Sequence, residues 1–163
     1  MQGSKRSHIG SCLKSTHIGM LCWLVAGLLA SCQGDLYYTE YKVLPQEQWD
    51  NRDTLVIDLP VSEQDIEAKV TLGMRRTHGF RYQKVVMREE VWCQGKIQEV
   101  RPVTITLRGN REEEGTGLLV KEFYSDAQPL HLQAGLPYSI RLTHQMRLNP
   151  LDGIVAVGVT VEK

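Results

Sequence analysis

The chain has 163 residues, of which 42% are hydrophobic and 23% are charged, and its 19 basic and 19 acidic side chains give a formal net charge of zero at pH 7. This length and composition are those of a globular chain that can bury one sizeable core. The balanced charge excludes the strongly basic surface of a typical nucleic-acid-binding protein, so we expect no nucleic-acid partner.

The first segment of the chain has the pattern of a bacterial lipoprotein signal. Basic residues, with no acidic residue before Asp35, precede an apolar run that ends in Leu29-Ala30-Ser31-Cys32, which is similar to a lipobox. The pattern predicts that residues 1–31 are a signal peptide and that Cys32 is acylated and becomes the mature N-terminus. The apolar run is too short for a membrane-spanning helix, which needs about 20 apolar residues. The basic residues are Lys5, Arg6 and Lys14.

Removal of this signal changes both the charge and the cysteine content. Taking 31 residues from 163 leaves 132, and losing three basic residues leaves 16 basic against 19 acidic ones, a net charge of −3. Apart from the acylated Cys32, the mature chain then has Cys93 alone, so it can form no intramolecular disulfide. The position of Cys93 beside Trp92 in an apolar segment indicates a small buried side chain rather than a reactive thiol.

Residues 32–50 combine polar, charged and aromatic side chains around Pro45. We interpret this segment as the acylated cysteine followed by a short tether that then docks on the domain. Its aromatic side chains, Trp49 among them, are expected to cover one end of the core. The alternative is that they stack on a sugar or on a protein partner.

From Thr54 onward, apolar and polar residues alternate with a period of two, between turn signals of Gly, Pro, Asn and Asp. Strands that follow one another without helices predict an all-β domain over residues 51–163, a single antiparallel β-sandwich of about seven to nine strands. A β-barrel is the alternative. Pro102 cannot donate to a sheet, which places its segment at an edge or a bulge. The main predicted strands are 55–59, 68–75, 82–92, 100–107, 118–123, 137–143 and 154–161.

Motifs for catalysis and for metal binding are lacking. The sequence has no nucleophile elbow, no zinc-protease motif and no phosphate-binding loop. The adjacent carboxylates Glu89 and Glu90 would point to opposite faces of a strand, so they cannot flank one glycosidic bond. The acidic loop over residues 108–115 lacks the alternating Asp and Asn residues of a calcium loop. We therefore expect no enzymatic activity, no metal and no cofactor.

Several groups of residues in the mature chain resemble the gliding-motility lipoprotein GldH family, which occurs in bacteria with a type IX secretion and gliding apparatus. The resemblance implies a membrane-anchored lipoprotein without catalytic residues, associated with gliding or with the secretion machinery that supports it. The groups are Tyr38-Thr39-Glu40-Tyr41, Arg75 with Phe80-Arg81-Tyr82, Gly115-Thr116-Gly117, Tyr138-Ser139-Ile140, His144-Gln145-Met146-Arg147 and Leu151-Asp152-Gly153-Ile154.

Two functions stay open at this point. The first is a scaffold or assembly lipoprotein of the cell envelope that holds other proteins of the gliding or secretion apparatus. Its anchor at Cys32 is expected in the outer rather than the inner membrane, and the sequence does not indicate the leaflet. The second is a glycan-binding lipoprotein, which requires at least two exposed aromatic side chains on one face. For both functions, the expected contact residues are Trp49, Tyr82 and Arg147.

Overall fold

The period-two pattern of the sequence becomes an alternation of buried and exposed side chains along extended strands. The computed structural model describes residues 36–107 and 120–163, in which nine strands have four or more residues. These strands are β1 (Leu36–Val43), β3 (Leu55–Asp58), β4 (Ile66–Thr77), β5 (Lys84–Cys93), β6 (Lys96–Thr106), β7 (Val120–Tyr124), β8 (Gln128–Leu132), β9 (Tyr138–His144) and β11 (Ile154–Glu162), and the two-residue strands are β2 (Gln48–Trp49) and β10 (Leu151–Asp152).

The strands form two main sheets. The first has the order β1-β11-β4, with β7 and β8 both beside β4, and the second has the order β3-β9-β5-β6. All pairs are antiparallel, and β2 pairs with β10 in a separate short ribbon. The inward side chains of both sheets belong to one hydrophobic cluster. Neither strand order closes on itself, so the prediction of an antiparallel sandwich is confirmed.

Two ends of the sandwich can be defined from the strand register. At the Leu36 end, β1 begins and β11 finishes, since Leu36 pairs with Glu162. At the Val43 end, β1 finishes and β11 begins, since Val43 pairs with Ala156. The segment 78–83 joins β4 to β5 at the Val43 end, and the segment 59–65 joins β3 to β4 at the Leu36 end. The positions of loops and side chains are described relative to these two ends.

Residues 36–50, which the sequence places in a tether, lie in the folded domain, so the domain begins well before residue 51. β1 pairs with β11 along its whole length, and Trp49 is fully buried in the core. Strand β1 belongs to the folded domain because it packs closely on glycines of the sheet: the Tyr41 side chain lies directly over Gly73 and Gly158. A Cβ atom at Gly158 would lie 2.6 Å from Tyr41 Cγ and would clash with the carbonyl oxygen of Glu40.

Two further predictions concern single residues in and beside the second sheet. Pro102 lies in β6, which pairs with β5 and has no second partner among the described strands, as expected for an edge strand. Cys93 is buried, as predicted. The acidic loop predicted over residues 108–115 and the acylation site Cys32 lie outside the described residues.

Candidate functional site

A buried aromatic and polar cluster supports the loops at the Val43 end. Trp49 has no exposed surface, and its indole Nε1 donates a hydrogen bond to the carbonyl oxygen of Asp53 at 3.0 Å. The His144 ring packs edge-on against the Trp49 ring, with 5.3 Å between the ring centroids. Such edge-to-face packing adds stability beyond the area that the rings bury. Trp49 therefore acts from inside the domain, and its ring is not available to a sugar or a partner.

His144 is held as a neutral ring in one tautomer. Its Nε2 lies 3.1 Å from the carbonyl oxygen of Trp49 and 3.2 Å from Asn149 Oδ1, while Met146 donates its backbone N–H to Nδ1 at 3.3 Å. A carbonyl oxygen only accepts and a backbone N–H only donates, so Nε2 carries the proton and Nδ1 does not. Burial lowers the pKa of His144 below its usual value, although its hydrogen bonds to Asn149 and Trp49 oppose this shift. Both ring nitrogens have structural partners.

Asn149 joins the two loops that surround this cluster. Its Oδ1 accepts the hydrogen bond from His144 and a second one from the backbone N–H of Asn51 at 2.7 Å. The peptide bond between Asn149 and Pro150 is cis. Beside it, Gln48 donates to Asp152 Oδ1 at 2.8 Å across the β2-β10 ribbon. The loop that carries Arg147 is thereby fixed to the segment that carries Trp49.

A cleft of about 520 Å³ opens on the outer side of this supported region. Tyr82 is half-buried in it, with its ring 5.2 Å from the Phe80 ring, and Leu148 is 61% exposed. Arg81 is exposed and forms no ion pair with any described residue. The cleft thus combines a cation, an aromatic ring and an aliphatic side chain on a rigid base. Its lining residues are Gly79, Arg81, Tyr82, Leu148, Asn149, Pro150 and Asp152.

The three contact residues predicted from the sequence come to this end, but in different roles. Tyr82 lines the cleft, and Arg147 is exposed next to the lining residue Leu148. Trp49 lies behind them in the core, which matches its expected covering role and not the expected contact. Met146 is partly buried against the core. Sequence reasoning did not single out Arg81 or Leu148 as contacts, although each directly adjoins a residue that it did name.

A second missed feature is an ion pair inside the sandwich. Glu89 has no exposed surface, and Arg101 donates to both of its carboxylate oxygens, at 3.0 and 3.2 Å. Arg101 also donates to the carbonyl oxygen of Pro129 in the other sheet at 2.9 Å. Burial raises the pKa of Glu89, and the adjacent guanidinium partly opposes the shift. The pair fastens the two sheets to each other, which is a structural role.

Glu90 lies on the opposite face of β5, as predicted for neighbours in a strand. It accepts a hydrogen bond from Trp92 Nε1 at 2.8 Å and pairs with Arg88 at 2.8 Å. The Arg141 guanidinium covers the Trp92 ring at 3.7 Å from the ring centroid. Since Tyr82 precedes β5 and Trp92 lies near its end, these aromatic side chains are about 30 Å apart along the strand and do not form one sugar-binding platform.

Within residues 36–107 and 120–163, no group of three or more His, Cys, Asp or Glu side chains could hold a metal ion. In the same ranges, no helix has the length and apolar character needed to cross a membrane.

The sequence was compared with protein families and with curated proteins. A family model described as GldH lipoprotein matches residues 36–161, which is most of the chain and nearly all of the sandwich. No curated protein matches the sequence. The family resemblance seen in the sequence is therefore confirmed. The match includes every residue that lines the cleft at the Val43 end.

Proposed function

The chain belongs to the GldH lipoprotein family, and from this premise we propose that it is a non-enzymatic scaffold that holds other proteins of a gliding or type IX secretion apparatus at the membrane. Membership makes the protein a gliding-associated lipoprotein with a membrane-anchored place in the cell envelope. The finer proposal concerns what the folded domain does there. It rests on the cleft at the Val43 end.

Anchoring is proposed to occur at Cys32, after removal of residues 1–31. Each buried methylene of an acyl chain contributes about 0.8 kcal/mol, so two or more chains hold a domain on a membrane stably. Strand β1 begins four residues later, at Leu36. Replacement of Cys32 by Ala is expected to leave an unprocessed chain that carries no acyl group, which metabolic lipid labelling would measure. Normal labelling of this variant would contradict the proposed anchor.

The composition of the cleft supports a protein as the partner. Arg and Tyr are enriched among the residues that dominate protein interfaces, and an exposed aliphatic side chain such as Leu148 adds apolar contact area. The support beneath is rigid, because the Asn149 amide and the His144 ring are both held by hydrogen bonds. A preformed surface of this kind loses little conformational entropy when it binds. This supported cleft is the observation that carries the proposal.

The absence of catalysis is proposed from the state of the buried titratable groups. In the described part of the chain, the buried charged or titratable polar side chains are Glu89 and His144. Glu89 is engaged by Arg101, and both nitrogens of His144 have partners within the fold. Neither group is placed to exchange a proton with a bound substrate. A scaffold needs no chemical step, which agrees with the structural roles of Glu89 and His144.

The test is affinity purification of the tagged, acylated protein from mildly solubilised membranes. The cleft variant is Arg81→Glu with Leu148→Ser, and the matched control is Lys96→Glu with Ile97→Ser, which likewise exchanges a cation for an acid and an aliphatic side chain for Ser on exposed residues near the Leu36 end. Loss of two central contacts is expected to reduce co-purification of gliding or secretion components by about tenfold or more, while the control keeps them.

Two other outcomes would contradict the proposal in different ways. Equal recovery of the components with the cleft variant and the control would show that the cleft is not the binding surface. Recovery of the wild-type protein alone would contradict the scaffold function itself. A screen of the purified domain against glycans would then become the next experiment, since it tests the alternative function.

A further inference from the structure

The surface at the Leu36 end has a composition that suits contact with a lipid surface. We propose that this end rests on the lipid headgroups of the membrane, so that the cleft at the Val43 end points away from it. The inference rests on the proposed acylation of Cys32. It adds an orientation and a second contact surface to the anchored domain.

The length of the connecting chain limits where the domain can sit. Four residue steps separate Cys32 from Leu36, and an extended chain of that length spans at most about 14 Å. The strand β11 then runs eight steps from Glu162 back to Ile154, which is about 27 Å at the rise of an antiparallel strand. The acyl chains therefore hold the Leu36 end near the headgroups, whereas the cleft lies a full strand length further along the domain.

The side chains at the Leu36 end favour this contact. Leu36 and Val61 are 57% and 55% exposed, although both are large and apolar. Tyr37, which follows Leu36 in the chain, donates its hydroxyl hydrogen to the carbonyl oxygen of Pro60, the residue before Val61, at 2.8 Å. Lys163 Nζ lies 5.0 Å from the centroid of the Tyr37 ring. Aliphatic tips beside a tyrosine and a lysine are typical of surfaces that sit at the level of lipid headgroups.

The charges at this end indicate which lipids are required. Lys163 and Glu63 border the same recess and have opposite signs, and the acidic residues Asp65 and Glu162 are also exposed at this end. The surface therefore has no excess of positive charge that would require anionic lipids. Two exposed apolar side chains are too few to bind a membrane alone. The acyl anchor already holds the domain at the membrane, so it raises the effective concentration of these side chains at the lipid surface. We expect the orientation to form on zwitterionic lipids and to persist in high salt.

An orientation in which the domain lies flat on its edge strand makes a different prediction. In that case β1 would contact the lipid along its length, and Val43 would meet the headgroups together with Leu36. Val43 is 76% exposed at the opposite end of β1, so it can report this arrangement directly. Leu148, which is 61% exposed in the cleft, has nearly the same exposure as Val61 and serves as the matched control.

The experiment places one fluorescent label on the acylated protein in phosphatidylcholine vesicles that contain a lipid with a nitroxide on its headgroup. The labelled variants are Val61→Cys, Val43→Cys and Leu148→Cys, each in a Cys93→Ala background. The expected result is loss of fluorescence for the label at position 61, with no loss beyond the nitroxide-free control at positions 43 and 148. The same result is expected in high salt.

Two results would overturn the orientation, and one would overturn its premise. Equal quenching at positions 61 and 148, or equal quenching at positions 61 and 43, would show that the Leu36 end does not face the lipid alone. The intact mass of the same preparations reports whether Cys32 is acylated. A mass without acyl chains would overturn the anchor and the inference that rests on it, whereas an acylated protein with the wrong quenching pattern would overturn the orientation only.

Discussion

The two ends of the sandwich differ in how their loops are held. At the Val43 end, the buried rings of Trp49 and His144 pack against each other, and His144 donates a hydrogen bond to the amide of Asn149, an exposed residue that lines the cleft. At the Leu36 end, the loop over residues 59–65 is held by hydrogen bonds at the surface, such as the one that the Tyr37 hydroxyl donates to the carbonyl oxygen of Pro60 at 2.8 Å. A surface that must fit a protein needs a fixed shape, whereas a surface against fluid lipid does not. The buried network lies at the end for which protein binding is proposed.

The largest effect that this comparison predicts comes from Trp49→Ala. Truncation of a fully buried tryptophan removes its packing and leaves a cavity, so the free energy of unfolding is expected to fall by about 3–5 kcal/mol. Val61→Ala at the other end is expected to change it by no more than about 0.5 kcal/mol. Equilibrium denaturation of the mature chain measures both. Similar losses of unfolding free energy for Trp49→Ala and Val61→Ala would contradict the difference between the two ends.

An intermediate loss of stability is expected when the contact between β11 and β1 is overpacked. Strand β1 connects the two ends of the sandwich. The substitution Gly158→Ala places a methyl group against the backbone of Glu40 and the ring of Tyr41. Such overpacking costs about 1–3 kcal/mol, and it should also increase hydrogen exchange at the amides of β1. The matched control is Gly79→Ala, since nothing lies within 4 Å of a Cβ atom there. Equal stability of the two variants would contradict the close packing of β1.

The smallest expected effect is a dependence of the stability on pH through His144. The pKa of His144 is lowered in the folded protein, so below its usual value of 6.5 the unfolded chain binds more protons than the folded one. Stability should therefore be full above about pH 6.5 and decrease as the pH falls toward the folded pKa, by at most about 1.4 kcal/mol per pH unit for one proton.

Unfolding measured between pH 7.5 and 5.5 tests this dependence. The variant His144→Gln should have a shallower slope than the wild type, because it removes the titrating ring. The control His131→Gln changes a half-exposed histidine near the Leu36 end, beside Glu67, and should keep the contribution of His144. A wild-type slope in the His144→Gln variant would show that His144 is not responsible.

Seven of the nine longer strands could be predicted from the sequence, and the two that were missed are β1 and β8. β11 was expected over residues 154–161 and spans Ile154–Glu162, because its side chains are apolar on nearly every position. β1 was missed because it has no alternation of buried and exposed residues, since most of its side chains are only half-buried. β8 was missed because it is short and contains Pro129.

The candidate site was only partly predictable, because it depends on contacts between distant residues. Tyr82 and Arg147 could be named from residue type and position, but the link between Trp49 and His144 joins residues 95 positions apart. The ion pair of Glu89 and Arg101 depends on a feature that the turn does not fix. A hairpin that turns at Gln94-Gly95 pairs Cys93 with Lys96, but a shift of register between Val91 and Trp92 brings Arg101 opposite Glu89, so the turn alone would not have indicated the pair.

The most direct test of the central claim is photocrosslinking in living cells from both ends of the domain. One strain carries a photoreactive amino acid at position 148 in the cleft, and a second strain carries it at position 61. The account predicts adducts with an identified gliding or secretion protein from position 148, and no protein adduct from position 61. Protein adducts from position 61 with none from position 148 would contradict the account.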